Sequence, residues 1–305
     1  MTRLHQACTV AIVIAGAALP LTGQEHFRSG AIGVRVDVLV TRGQELVRGL
    51  NASDFELRDE AVLQKVSEVE VEQIPLNLIL AFDTSGSVAG ERLRSLIQAG
   101  QSLLDRLRPD DRVALLSFST RVRLLAPLTA SRQQIHEAFA TLAAQGATSL
   151  RDAAFAALAL RETDPGRTLV LIFTDGTDTA SWLRAPDVID AAKRTDSVVY
   201  AVGLADLRPV LSISGGKVVQ RSVMTVQEPG KFIEHLTAET GGRVLFANSN
   251  RDIRAAFTET LAEFRNRYVL SYTPTGVSTT GWHRLDVKLK TKAGKVTARR
   301  GYFAD

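Results

Sequence analysis

The central part of the chain alternates short apolar runs with longer stretches in which apolar residues recur every three or four positions. Residues 76–82 and 168–173 are almost continuously apolar, as expected for strands buried on both faces of a sheet. Residues 88–107 place leucines at helical spacing. The same criteria predict further strands at 112–118, 121–128, 197–202 and 244–246, and further helices at 150–160 and 252–264. Strands that alternate with helices predict an α/β fold with a doubly wound, mostly parallel sheet over residues 75–267.

The segments on either side, 25–74 and 268–305, have the one-by-one alternation of β-strands. Strands are predicted at 31–40, 55–57, 66–71, 268–272, 282–290 and 295–302. Neither segment has enough strands to be stable alone, so we expect the two to pack together as one small β module. Within the α/β part, residues 211–228 replace a short loop, and their Gly215-Gly216 pair predicts a hairpin insertion.

The first 24 residues have the pattern of a secretory signal. Arg3 precedes an apolar run at 7–21, and small polar residues follow it. This run is too short for a comfortable membrane span, and no other segment is apolar for long enough, so we expect no span in the mature chain. The pattern predicts a signal peptide at 1–24 and an exported protein, whether periplasmic, on the cell surface or secreted. No clean Ala-x-Ala follows Pro20, which leaves an uncleaved anchor as the alternative.

The net charge and the cysteine content argue against several classes of function. The net charge of +4 is too small and too scattered to indicate nucleic acid as a partner. Cys8 is the only cysteine and lies inside the apolar run of the signal. The mature chain would therefore have no disulfide, no cysteine-bound metal and no thiol nucleophile.

Three oxygen-bearing side chains follow the first buried strand: Asp83, Ser85 and Ser87. In open α/β sheets, ligands bind at the carboxyl ends of the strands, and hard oxygen groups suit a cation such as Mg²⁺. Ser87 is also a good cap for the helix that follows. A second buried strand ends at Asp175, where a carboxylate is costly unless a partner neutralises it. Thr148 begins the helix that precedes this strand.

Together these three segments resemble the metal-ion-dependent adhesion site of von Willebrand factor type A domains. The resemblance covers about residues 76–267 and includes all five residues of the motif, Asp83, Ser85, Ser87, Thr148 and Asp175. It implies a Rossmann-like fold and a bound Mg²⁺, with Mn²⁺ or Ca²⁺ as alternatives. It also implies hydroxyl ligands, aspartates acting largely through water, and a protein partner whose Glu or Asp carboxylate completes the coordination.

The flanking segments are similar to an exported bacterial VWFA-related family named from acidobacteria. The residues that carry this similarity are Val-Asp-Val-Leu-Val at 36–40, Gly-Leu-Asn-Ala-Ser-Asp-Phe at 49–55, Tyr-Val-Leu-Ser-Tyr at 268–272 and Arg-Arg-Gly-Tyr at 299–302. The similarity implies export and overall architecture rather than a particular partner.

Enzymatic functions fit these residues poorly. A phosphatase of the haloacid-dehalogenase type needs a second aspartate where Ser85 stands, and neither Gly-x-x-x-x-Gly-Lys-Ser/Thr nor Gly-x-Ser-x-Gly occurs. We therefore expect a binding protein and no enzyme, with an envelope scaffold that has a vestigial metal site as the alternative. Trp182 and Asp178 follow Asp175 on the expected binding face and are candidate ligand contacts. As alternatives, Trp182 is partly packed against the protein, and Asp178 shapes its loop or caps a helix.

Overall fold

The apolar runs of the sequence form the middle strands of a mixed sheet in the computed structural model of this chain. The structure describes residues 33–71, 74–160, 166–204, 211–214, 217–220, 228–247, 249–290 and 293–304. The predicted signal at 1–24 lies outside the described residues. Among the described helices, none is long and apolar enough to cross a membrane.

The strands in chain order are β1 Val34–Arg42, β2 Glu45–Leu46, β3 Phe55–Asp59, β4 Val62–Gln64, β5 Val66–Val71, β6 Leu76–Asp83, β7 Arg112–Phe118, β8 Val122–Thr129, β9 Arg167–Thr174, β10 Val198–Leu204, β11 Leu211–Ser214, β12 Lys217–Gln220, β13 Val244–Ala247, β14 Tyr268–Tyr272, β15 Gly281–Leu289, β16 Lys295–Ala298 and β17 Gly301–Ala304. The helices are α1 Glu91–Leu104, α2 Arg132–Ala140, α3 Leu150–Ala159, α4 Ala185–Lys193, α5 Glu228–Glu239 and α6 Asn250–Arg265.

Within the described residues, the central sheet has six strands in the order β13-β10-β9-β6-β7-β8. Neighbours pair in parallel except at one edge, where β8 runs antiparallel to β7, so the sheet is mixed. Every residue of β6 and β9 is buried. Leu80 and Phe82 of β6 face the core under α1, α2 and α6, whereas Ile79 and Ala81 face the core under α3, α4 and α5. Helices therefore cover both faces, and the carboxyl ends of β6 and β9 open at the same edge.

Helix α1 is shorter than the predicted stretch 88–107. A 3-10 turn at Gly86–Val88 comes first, and Gly90 then has φ 79°, a left-handed conformation that an α-helix interior does not allow. The insertion at 211–228 contains β11 and β12, which pair antiparallel, while residues 221–227 of that segment lie outside the described residues.

The flanking strands form two further sheets. In one, β1 lies between β14 and β16, and β5 pairs with β14; in the other, the order is β17-β15-β3-β4. Apolar side chains from both sheets share one core, to which β1 contributes alternate valines and β14 contributes Tyr268, Leu270 and Tyr272. The prediction of one strand over 295–302 is wrong. Residues 299 and 300 separate β16 from β17, which belong to different sheets, because the α/β domain holds both arginines through Lys193 O and Glu239.

A polar cluster lies inside this core around Asp59, which is fully buried. Its Oδ2 accepts hydrogen bonds of 2.8 Å from the hydroxyls of Tyr272 and Tyr302. Nδ1 of His283, itself buried, lies 2.8 Å from Asp59 Oδ1. The cluster joins strands of both sheets, since Asp59 lies on β3, Tyr272 on β14 and Tyr302 on β17.

The α/β domain joins the flanking sheets through a buried arginine. Arg267, between α6 and β14, is fully buried and donates hydrogen bonds to Gly241 O of the α/β domain at 2.7 Å and to Asp37 O of β1 at 3.2 Å. Nearby, Arg167 of β9 forms an ion pair with Asp37 of β1. These contacts lie within the one compact unit Ile32–Asp305, so the described strands and helices pack as a single body.

Candidate metal centre

Asp83 is the last residue of β6 and has no exposed surface. Its Oδ1 accepts a hydrogen bond of 2.8 Å from the backbone N–H of Ser85, and its Oδ2 accepts one of 3.0 Å from the hydroxyl of Thr174. The hydroxyl oxygens of Ser85 and Ser87 lie 3.0 Å apart. Ser85 is buried and Ser87 is exposed, so this group of oxygens opens to solvent on the side of Ser87.

Asp175 follows β9 directly, on the strand next to β6. It is 8% exposed, and its Oδ1 accepts hydrogen bonds from the backbone and hydroxyl of Thr177 at 3.1 and 2.8 Å. Phe82 and Phe173 are register partners on the two strands. Asp83 follows Phe82 by one position and Asp175 follows Phe173 by two, and the charges of the two aspartates interact.

The electrostatics of this pair favour a bound cation. Burial raises the pKa of Asp83 to about 6; hydrogen bonds from Ser85 and Thr174 oppose this shift, and the negative charge of Asp175 adds to it. No Lys, Arg or His in the described part of the chain forms an ion pair with either aspartate. A buried carboxylate that is ionised at neutral pH without a cationic partner is unfavourable, and a divalent cation would remove that penalty.

Thr148 reaches the same edge from a separate loop. Two hydrogen bonds join this loop to the loop after β6, one from Gly86 N to Gly146 O at 3.0 Å and one from Gln145 N to Thr84 O at 2.8 Å. Thr148 is 3% exposed. Its backbone N–H donates a hydrogen bond to the hydroxyl of Thr179, in the loop after β9, and its carbonyl oxygen accepts hydrogen bonds from the backbone N–H groups of Thr179 and Ala180. The loop of residues 145–148 therefore connects the three segments that carry the five motif residues.

The loop after β9 also caps α3, in keeping with the alternative that Asp178 shapes its loop or caps a helix. Asp178 Oδ2 accepts hydrogen bonds from the backbone N–H of Arg151 at 3.0 Å and from its Nε at 2.9 Å. Ser181 Oγ accepts a hydrogen bond from the Asp152 N–H at 3.3 Å. Burial raises the pKa of Asp178, but the hydrogen bonds from Arg151 and Ser181 outweigh it and hold that pKa below its usual range. With 3% of its side chain exposed, Asp178 organises this loop and presents little surface to a partner.

Trp182 lies in the same loop and is 93% exposed. Its backbone N–H donates to the Asp152 carboxylate at 3.0 Å, and the N–H of Leu183 donates to the same carboxylate at 2.9 Å. The structure thus holds the Trp182 backbone in place and leaves its indole in solvent rather than packed. A large exposed aromatic side chain on a fixed loop is typical of protein interaction sites.

The donor set fits a hard divalent cation. It consists of hydroxyls from Ser85, Ser87 and Thr148 and carboxylates from Asp83 and Asp175, and Mg²⁺ prefers oxygen ligands of this kind. In the described residues, no group of three or more His, Cys, Asp or Glu side chains is arranged to hold a metal ion. A metal here would thus depend on hydroxyl groups together with the two aspartates.

Comparison with known proteins agrees with this architecture. The inter-alpha-trypsin inhibitor heavy chain H4 of Bos taurus is 30% identical over 169 residues, which are 51% of this chain and 18% of that protein. An uncharacterised protein of Synechocystis sp. is 31% identical over 150 residues, 47% of this chain and 35% of that protein. This chain thus spans well under half the length of these relatives. The solved structure of a von Willebrand factor type A protein from Catenulispora acidiphila superposes with a TM-score of 0.52 at 14% identity, covering 87% of this chain and 75% of that one.

A family model described as von Willebrand factor type A domain matches residues 77–239, just over half of the chain. The matched segment contains the strands β6 to β10 and all five residues of the candidate metal centre. The chain therefore belongs to the von Willebrand factor type A domain family.

Proposed function

We propose that this protein binds other proteins in a divalent-metal-dependent manner, through a metal-ion-dependent adhesion site formed by Asp83, Ser85, Ser87, Thr148 and Asp175. The observation that carries this proposal is the pair of aspartates at adjacent strand ends, buried and without a cationic partner in the described residues. The serine hydroxyls beside them supply further hard oxygens.

Neutral hydroxyl donors explain why such a site suits recognition of a carboxylate. Mg²⁺ held there would supply positive charge that attracts a Glu or Asp carboxylate of a partner. This carboxylate would complete the coordination of the ion, since Mg²⁺ needs few ligands from the protein that holds it. Ser87 is exposed, which leaves that side of the site accessible to a partner. Asp83 and Ser85 are buried and already oriented by their mutual hydrogen bond, so little ordering is needed on binding.

The surface around the proposed metal site also indicates what kind of partner would bind there. A protein that presents a carboxylate meets both the proposed metal and the exposed Trp182, a residue type enriched among binding hot spots. The proposed activity is binding without a bond-breaking step, and nucleic acid is not its target. From the signal-like pattern of residues 1–24 we propose that this activity takes place outside the cytoplasm, in the periplasm, on the surface or in the medium.

Calorimetric titration with Mg²⁺ tests the metal site. Wild type is expected to bind Mg²⁺, Asp83→Asn and Ser85→Ala to lose binding, and Asp190→Asn, an exposed aspartate on α4, to bind as wild type does. Unchanged Mg²⁺ affinity in Asp83→Asn would refute the proposed metal site. Absence of Mg²⁺ binding by wild type would favour the alternative of an envelope scaffold with a vestigial site.

The binding of a partner carboxylate to the metal needs a separate measurement. Mn²⁺ in place of Mg²⁺ allows the water-proton relaxation of the bound ion to be followed. Acetate is expected to lower this relaxation by displacing water, and acetamide, which has nearly the same shape and no charge, is expected to have little effect. Equal responses to the two compounds would contradict recognition of a carboxylate.

A further inference from the structure

A groove with a volume of about 1260 Å³ lies between β8 and α2, and its lining includes Thr84, the residue between Asp83 and Ser85. Arg123 and Leu125 line it from β8, and Glu137 lines it from α2. At its other end it is bordered by Thr84 and Gly146, which belong to the two loops that carry Ser85 and Thr148. Small-molecule pockets are typically about 300–1,000 Å³, so this groove is larger than such a ligand needs and suits a peptide segment.

The groove runs along the outermost strand of the central sheet, where β8 pairs only with β7 in the sheet order. The turn between β7 and β8 is fixed to the loop of Thr148. Thr120 Oγ1 accepts a hydrogen bond from Ala147 N at 3.0 Å, and Ser119 O accepts one from Ser149 N at 2.8 Å. Arg121, the last residue of this turn, is therefore held next to the loop that carries Thr148.

The charge along the groove favours an acidic ligand. Arg121 and Arg123 are both exposed, and within the described residues neither guanidinium forms a hydrogen bond or an ion pair. Glu137 is the acidic residue of the lining, and its Oε1 accepts a hydrogen bond of 2.8 Å from Gln133 Nε2. Two arginines without internal partners can bind a carboxylate in the bidentate geometry that guanidinium groups favour.

We propose that an extended acidic segment of the partner lies in this groove, with one carboxylate at the proposed metal site and a second one bound by Arg121 and Arg123. This inference rests on the proposed function, because the first carboxylate needs the metal. Asp83, Phe118 and Val122 stand at the same level of three adjacent strands. Two strand spacings of about 4.8 Å make about 10 Å, which an extended chain spans in about three residues. The arginine side chains reach beyond their strand, so the two acidic residues should be roughly three to five positions apart.

A selection from random twelve-residue peptides displayed on phage tests this proposal. The full chain is immobilised in Mg²⁺, and bound phage are released with EDTA. We expect the released peptides to share one acidic residue and to have a second acidic residue three to five positions from it. On the Arg121→Glu/Arg123→Glu variant, the second position should change to Lys or Arg. Arg254→Glu, an exposed arginine on α6, is the matched control and should leave the acidic pair unchanged.

A synthetic peptide with the enriched sequence provides a second measurement by fluorescence anisotropy. Arg123→Gln should weaken its binding at least fivefold, whereas a peptide whose second acid is replaced by glutamine should bind wild type and Arg123→Gln equally. EDTA-released peptides with a single acidic residue, selected alike by wild type and by the double variant, would overturn this inference and leave the proposed function standing. If EDTA released no peptide from wild type, both would fall.

Discussion

Replacing Asp83 by asparagine should stabilise the metal-free protein at neutral pH, although it removes a proposed metal-binding group. Asp83 is fully buried next to Asp175, and with a pKa of about 6 it is ionised at pH 7. Asparagine has nearly the same shape and no charge. Its side-chain oxygen can still accept the hydrogen bond that Ser85 N donates to Asp83 in the wild type.

The size of the effect follows from the pKa difference. A rise from 3.8 to about 6 corresponds to about 3 kcal/mol, at about 1.4 kcal/mol per pH unit. Since the folded pKa is the higher one, the folded protein retains a proton that the unfolded chain releases. The stability that this proton contributes is complete below pH 3.8 and is lost as the pH rises through about 6. The hydrogen bond from Thr174 is worth about 1 kcal/mol, so the expected net gain of Asp83→Asn above pH 7 is about 2 kcal/mol.

The assay is urea unfolding in EDTA between pH 4 and 8, comparing wild type with Asp83→Asn and with Asp190→Asn as the exposed control. The difference in unfolding free energy between Asp83→Asn and wild type should grow with pH. Saturating Mg²⁺ should then reverse the order, because only wild type gains free energy from the ligand. If the difference did not change with pH, or if the asparagine variant were the less stable one at pH 7, this account of Asp83 would be refuted.

Three further substitutions test other parts of the structure. Asp178→Ala should lower the unfolding free energy by about 3 kcal/mol, because it leaves Arg151 and the start of α3 without their acceptor; unchanged urea unfolding would show that the loop needs no such support. Asp59→Ala should cost about 3–5 kcal/mol by leaving His283 and two tyrosine hydroxyls unpaired in a core, and a loss below about 1 kcal/mol in thermal unfolding would contradict this. Trp182→Ala should change stability by less than about 0.5 kcal/mol and yet weaken capture of EDTA-released peptides, and equal capture would exclude Trp182 from the interface.

The central sheet was predictable because its strands are buried on both faces. Strands β6 and β9 have continuous apolar runs, and the sequence places each within a residue of its observed limits. The split of 295–302 was not predictable in the same way. Arg299 and Arg300 interrupt the alternation of polar and apolar residues, but two adjacent arginines do not indicate a change of sheet, which depends on contacts with Lys193 and Glu239.

The candidate site was predictable to a similar extent. Motif residues at strand ends could be found because strand ends are where the sequence changes from apolar to polar. The network that fixes the surrounding loops was predictable only in part: the sequence indicates a structural role for Asp178, but it does not indicate Arg151, 27 positions away, as its partner. Arg267 gives even less signal, because a buried guanidinium whose acceptors are mostly backbone carbonyls has no recognisable sequence partner.

The pairing of β5 with β14 has a consequence for how this architecture can arise and be rebuilt. Val71 and Tyr268 are register partners, so the chain leaves the flanking sheets and returns to them at adjacent positions, with the whole α/β domain between these two points. Segments whose ends lie close together can be inserted into a host fold or removed from it with little disturbance. The α/β domain is in this sense an insertion between two adjacent positions of the flanking sheets. A domain that replaced it would have to supply equivalents of the contacts that Lys193 and Glu239 make with Arg299 and Arg300.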